Sequence, residues 1–277
     1  MRKFLWFNTA RKMEDAIQRA ARDLVKAKYG IALTGAGIST ESGIPDFRGP
    51  SGVWTFNPEA ERRAYRGYQE FINDPRGWWE RTLARADNFA LGDLSQAKPN
   101  IGHYTLAELE KMGILKWTIT QNIDALHEKA GTVNLLEYHG SVAKLRCLSC
   151  GSRFRREEFD FDKLLAENNL PPVCPKCRGL LKTDGVFFGE PIPEDVAERS
   201  MEAALKCDLM LICGTSAVVY PFASLPRIAR QRREVTIIEV NAEPTPLTEE
   251  GISDYIIRGK TGEILPRLLQ EIKKLTG

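Results

Sequence analysis

The chain has 277 residues, 43% hydrophobic and 27% charged, an ordinary globular composition that allows one large core plus a smaller satellite domain. Its formal net charge of +2 gives no electrostatic ground for binding nucleic acid or membrane, and the short basic runs at 153–156 and 230–233 adjoin acidic residues and read as solvated faces. The apolar run Phe4–Phe7 is too short for a signal-peptide core and nothing later approaches a membrane span, so a soluble cytoplasmic protein is expected. Six cysteines suit that compartment, because four of them form two C-x-x-C pairs and none needs a disulfide partner.

Met13, Ile17, Ala20, Ala21, Leu24 and Val25 recur at helical spacing and predict an opening helix. Ile31-Ala32-Leu33 predicts a buried strand running into the turn Thr34-Gly35-Ala36-Gly37-Ile38-Ser39. Residues 43–100, rich in Gly, Pro and aromatics, predict a long loop and then one or two helices near 68–90; the stretch 43–60 has the punctuation of a lid. Further buried strands are predicted at Ile114–Thr120, Asn134–Tyr138, Val186–Phe188, Asp208–Cys213 and Val235–Val240, with helices at about 101–112, 193–205 and 261–275. Strands alternating with helices predict an α/β fold whose parallel sheet is covered on both faces. Residues 141–184 interrupt the rhythm and read as a separate small module, leaving 1–140 and 185–277 as the sheet domain, with the insertion at 43–100.

Cys147-Leu-Ser-Cys150 and Cys174-Pro-Lys-Cys177 are separated by 23 residues. Each pair offers two thiolates at bite distance, and four close a tetrahedral shell around zinc that leaves no position for water, so such a metal is structural. Redox pairs or free thiols are the competing readings. Cys207 and Cys213 flank an apolar strand and read as core residues. The turn after the first strand lets backbone approach a pyrophosphate, although Thr40 stands where the dinucleotide fingerprint has its third glycine. Gly214-Thr215-Ser216 and Val240-Asn241 also end strands, where open α/β sheets bind ligands; plain turn chemistry is the alternative. Of three histidines, His139 ends a strand and is the best placed for acid–base work, whereas His103 stands at a helix start and His127 in a short helix.

Put in order, these segments closely resemble the sirtuin family. The matching pieces are Gly35–Ser39 running through Gly43-Ile-Pro-Asp-Phe-Arg-Gly49, Thr120-Gln-Asn-Ile-Asp124, His139-Gly140, the two cysteine pairs, Phe187-Phe-Gly-Glu190, Gly214-Thr-Ser216 and Val240-Asn241. They span roughly residues 24–270. The resemblance implies a Rossmann-like sheet with an inserted zinc-ribbon module and a helical insertion. It implies one structural Zn2+ on Cys147, Cys150, Cys174 and Cys177, and NAD as co-substrate. The implied activity removes acetyl or longer apolar acyl groups from lysine side chains of proteins or peptides. The acyl oxygen attacks the nicotinamide ribose, nicotinamide leaves, and the acyl group ends on ADP-ribose. In that likeness His139 is the general base for a ribose hydroxyl. Asn122 and Asp124 hold the nicotinamide carboxamide, and Asp46, Phe47 and Arg48 belong to the lid over NAD. Gly35, Ala36, Gln121, Gly214, Thr215, Ser216 and Asn241 contact the rest of the dinucleotide. Phe47, Val186 and Phe188 line the acyl-lysine channel, and Gly189 and Glu190 pair with the substrate backbone as an added strand. Protein ADP-ribosylation is the alternative activity, since it would use the same NAD site.

Two departures from the family pattern stand out. Asp184-Gly185 replaces proline and a bulkier residue, and Phe222 replaces an alanine. The Tyr-x-x-Arg pair of sirtuins that prefer acidic acyl chains falls on Thr82 and Arg85, so only the arginine matches. Acetyl or longer apolar chains are therefore the expected substrates.

Overall fold

The computed structural model describes residues 2–49, 52–84, 94, 96–232 and 234–277, with side chains from Arg11 onward. Helix α1 (Arg2–Lys26) leads into β1 (Gly30–Thr34), a strand buried along its whole length. Three helices follow in the insertion: α2 (Val53–Phe56), α3 (Pro58–Asn73) and α4 (Pro75–Ala84). Next come α5 (Ile101–Lys111), β2 (Leu115–Thr120), α6 (Leu126–Lys129) and β3 (Leu135–Glu137). The cysteine-bearing segment contains β4 (Lys144–Cys147), β5 (Arg153–Arg155), α7 (Phe161–Ala166) and β6 (Leu181–Thr183). The chain then returns through α8 (Glu194–Lys206), β7 (Leu209–Cys213), α9 (Ser224–Arg230) and β8 (Thr236–Asn241). It finishes with α10 (Pro246–Glu249), β9 (Tyr255–Arg258) and α11 (Thr261–Thr276).

Helix starts fall where short polar side chains can occupy orphan N–H groups. Asn57 accepts from Ala60 N–H at 3.1 Å ahead of Pro58, and Asn100 accepts from Gly102 N–H at 2.9 Å.

Six strands form one sheet in the order β3-β2-β1-β7-β8-β9, all parallel. The chain winds outward from β1 in one direction and from β7 in the other, so the gap between the ends of β1 and β7 is the topological switch point at which such sheets bind nucleotides. Alternation along β1 fixes the two layers: Ala32 joins a core with Ile17, Leu24, Leu106, Leu265 and Leu268, while Ile31 and Leu33 join Ile119, Met210, Ile212 and Phe222 on the opposite face. The α/β fold with a helix-covered parallel sheet is thus the one expected.

A second, antiparallel sheet has the order β5-β4-β6. It shares a core with the helical insertion: Phe71 of α3 and Trp79 of α4 pack with Leu145, Cys147, Cys174 and Leu181. Trp79 also donates its indole N–H to the Leu181 carbonyl at 3.1 Å. No helix among the described residues is long and apolar enough to cross a membrane.

Two local expectations need correction. Val186–Phe188 is not a strand, because its N–H groups turn elsewhere: Val186 N–H donates to the His139 carbonyl and Phe187 N–H to the Glu190 carboxylate. The long loop expected ahead of residue 68 is in part helical, because α2 occupies Val53–Phe56 and α3 begins at Pro58 behind the Asn57 cap.

Candidate active site and cysteine cluster

The two glycine turns meet back to back at the switch point. Gly35 N–H donates to Cys213 O (3.2 Å), Gly37 N–H to Gly214 O (2.8 Å), and Gly214 N–H to Val240 O (3.0 Å). A Cβ on Gly37 would lie 2.7 Å from Gly214 Cα, and Gly214 has φ +61, so both positions require glycine. Around them Gln121 Nε2 donates to Thr215 Oγ1 at 2.7 Å, and Asn241 Nδ2 to Thr215 O at 3.2 Å. Thr215 and Asn241 are buried and Ser216 is exposed. The strand ends after β1, β2, β7 and β8 therefore form one constellation.

Beside Gly35 lies a buried polar chain. Asn122 Nδ2 donates to Gly35 O (3.1 Å) and to Ser39 Oγ (3.0 Å), and Ser39 Oγ donates to Asp124 Oδ2 at 2.7 Å. Asp124 Oδ1 accepts Leu126 N–H at 2.9 Å. His103 Nδ1 accepts Asn100 N–H at 3.3 Å, which leaves its Nε2–H toward Ser39 Oγ, 3.5 Å away. Burial lowers the His103 imidazole to about 4, against the pull of Asp124. It acts there as a neutral donor. His127 Nε2 lies 2.9 Å from Thr34 Oγ1, and burial keeps this ring well below the usual histidine range too. Ser39 and His103 are members of this chain that residue-by-residue reading does not assign; the only signal is that Ser39 closes the first glycine motif.

His139 stands at the end of β3. Its Nδ1 lies 3.2 Å from the Gln121 carbonyl, which can only accept, so the neutral ring carries its lone pair on Nε2. Burial pushes this imidazole below the ordinary 6.5, and the Gln121 carbonyl opposes the shift. Phe222 lies fully buried 6.4 Å from its ring and 5.3 Å from that of Tyr138. Phe222 thus supplies an aromatic wall behind His139.

The lid segment is tied to itself. Asp46 Oδ1 accepts Gly49 N–H at 2.8 Å, Phe47 packs 4.7 Å from Trp54, and Arg48 lies over Trp54 at 4.5 Å with Glu61 3.6 Å away. Phe188 bridges this lid to the insertion, 5.8 Å from Trp54 and 4.4 Å from Tyr65 of α3. Val186 and Phe188 are half-buried and Gly189 is exposed at φ +80, while the Glu190 carboxylate is turned inward. Thr82 sits half-buried on α4; Arg85 lies outside the described residues.

The four paired cysteines converge, with all their sulfurs within 4.8 Å of one another. Cys147 and Cys177 are 3.4 Å apart and Cys150 and Cys174 are 3.8 Å apart. Tetrahedral Zn–S bonds of ~2.3 Å require sulfurs about 3.8 Å apart, so this donor set fits one structural zinc. Cys207 and Cys213 are buried elsewhere, and burial pushes the Cys207 thiol up to about 12.

A Rossmann-type sheet, glycine turns at its switch point, a buried histidine at a strand end and a four-cysteine module define an NAD-using enzyme with a structural metal. The model of the Sir2 family matches residues 35–221. The chain is 41% identical over 261 residues to the NAD-dependent protein deacylase of Pyrococcus abyssi, covering 94% of this chain and 99% of that one. A Sir2 homologue solved in complex with NAD superposes with a TM-score of 0.74 at 39% identity, covering 94% of both chains. A Sir2 enzyme solved with a deacetylated peptide and 3′-O-acetyl ADP-ribose superposes at 0.72 with 32% identity, covering 91% of this chain and 96% of that one. The chain belongs to the Sir2, or sirtuin, family.

Proposed function

We infer that the chain is an NAD-dependent protein lysine deacylase, releasing nicotinamide and O-acyl-ADP-ribose. The observation that carries this reading is the placement of His139. Its Nδ1 is committed to the Gln121 carbonyl, the next residue along is Asn122, and Asn122 joins the buried Ser39–Asp124 pair beside Gly35. The proposed base is thus bonded to the loop after β2 that carries the proposed nicotinamide-binding groups. When bound, NAD supplies a ribose carbon with nicotinamide as leaving group, and ribose hydroxyls to receive the acyl group. Against that substrate His139 Nε2 accepts a hydroxyl proton, and its low proton affinity keeps it neutral near pH 7. Asn122 and Asp124 are oriented by Ser39 to meet a carboxamide. The glycine turns, Thr215 and Asn241 hold phosphate and ribose, and Asp46, Phe47 and Arg48 close over them. Val186 and Phe188 flank the acyl-lysine, and the exposed turn at Gly189 offers backbone to an extended peptide. The substrate polymer is a protein or peptide rather than nucleic acid. Nicotinamide release tests the reading: it should require an acetyl-lysine peptide. Equal release without peptide would refute it.

A further inference from the structure

Lys182 is fully buried, a rare position for an ammonium group, and its three N–H donors meet three acceptors. Nζ donates to the carbonyls of Thr183 (2.7 Å) and Gly185 (2.6 Å) and pairs with Glu190 Oε2 at 3.1 Å. Glu190 Oε2 also accepts Phe187 N–H at 2.9 Å, and Oε1 accepts Arg146 Nη2 at 2.6 Å. Asp184 accepts Arg153 Nε at 3.1 Å and lies as close to Arg146 Nε. Arg146 and Lys182 are register partners on β4 and β6, next to the Cys147–Leu181 pair, so both stand on the cysteine module. The segment they hold, 183–190, carries Val186 and Phe188, and Val186 N–H donates to the His139 carbonyl at 2.8 Å.

Buried ion pairs contribute little net stability, because desolvation offsets their attraction. Charges gathered beneath one loop are better explained by geometry: three backbone groups of 183–187 are each fixed by a charged partner. We propose that Lys182, with Arg146 and Glu190, forms a positioning cluster through which the cysteine module sets the shape of the acyl-peptide segment and its register on His139. This rests on the deacylase reading. Asp184 then serves as the anchor of that cluster to Arg153.

Lys182→Met tests it, with nicotinamide release followed on an acetyl-lysine peptide and NAD. The peptide KM should rise about 10–100-fold, the worth of one charge-assisted hydrogen bond. The KM for NAD and the zinc content should stay at wild-type values, and Lys182→Arg should restore the peptide KM to within a few-fold. If the methionine variant does not fold, the arginine variant carries the test. Burial lowers the Lys182 ammonium to about 8, against the pull of Glu190 and Asp184 and with help from Arg146. The cluster is therefore intact below that pH and loses its charge as pH rises through it. The wild-type peptide KM should climb above pH 8, while the arginine variant, charged throughout, stays flat. A wild-type peptide KM in Lys182→Met, parallel changes in both KM values, or the same alkaline climb in Lys182→Arg would overturn the proposal. Wild-type protein with no turnover on the acyl peptide would overturn the deacylase reading, and this proposal with it.

Discussion

Replacing Asp124 by Asn keeps the side chain's size and removes its charge, and the effect is set by the groups around it. Asp124 is only 6% exposed, and each oxygen has one donor: Ser39 Oγ at 2.7 Å and Leu126 N–H at 2.9 Å. An asparagine can keep the Leu126 bond through its carbonyl, but its amide nitrogen then faces Ser39 Oγ. That hydroxyl already accepts from Asn122 Nδ2, so its own proton loses its acceptor. Losing a hydrogen bond to a charged group costs about 1.5–3 kcal/mol. For a domain of this size each kcal/mol lowers Tm by roughly 2–4 °C, which gives a fall of about 3–12 °C. Nicotinamide inhibition should weaken by about 10–100-fold, since one charge-assisted contact converts to that factor. Differential scanning calorimetry and nicotinamide titration of turnover measure the two effects. Combining Asp124→Asn with Ser39→Ala should cost less than the sum of the single changes, because both remove the same bond. Unchanged inhibition, or strict additivity of the two variants, would refute this account of the pocket.

Cys147 and Cys174 lie in the core that also holds Trp79 and Phe71, so Cys147→Ser should release zinc and unfold the module together with its contact to the insertion; zinc-free protein with wild-type Tm and activity would contradict this. His139→Ala should lower turnover about 10²–10⁴-fold. Because burial lowers the His139 pKa, the acid limb of the wild-type rate should fall below pH 6.5, where the base becomes protonated; a limb above 6.5 would contradict the burial argument. On one peptide, kcat/KM for acetyl- and myristoyl-lysine should exceed that for succinyl-lysine, because Thr82 stands where the acidic-acyl pattern has its tyrosine hydroxyl. A succinyl preference abolished by Arg85→Met would reverse that reading.

The parallel sheet is legible because its central strands, buried on both faces, read as apolar runs such as Ile31–Leu33 and Leu209–Cys213. The cysteine cluster is legible because two short spacings each preset a pair of ligands. What escapes is whatever depends on partners far along the chain. Ser39 meets Asp124 across 85 residues and His103 across 64, so this buried polar chain has no local signature. Val186–Phe188 carries the apolar run of a strand, yet its N–H groups are claimed by His139 and Glu190. Nothing in the local sequence singles out Lys182; only the fold brings Glu190 to it.

The most direct test of the deacylase account is a count of products by mass spectrometry, with purified protein, NAD and an acetyl-lysine peptide. Nicotinamide, free-lysine peptide and O-acetyl-ADP-ribose should form in equal amounts. Nicotinamide released while the peptide keeps its acetyl group, with ADP-ribose appearing on protein, would contradict the account and favour ADP-ribosyl transfer from the same site.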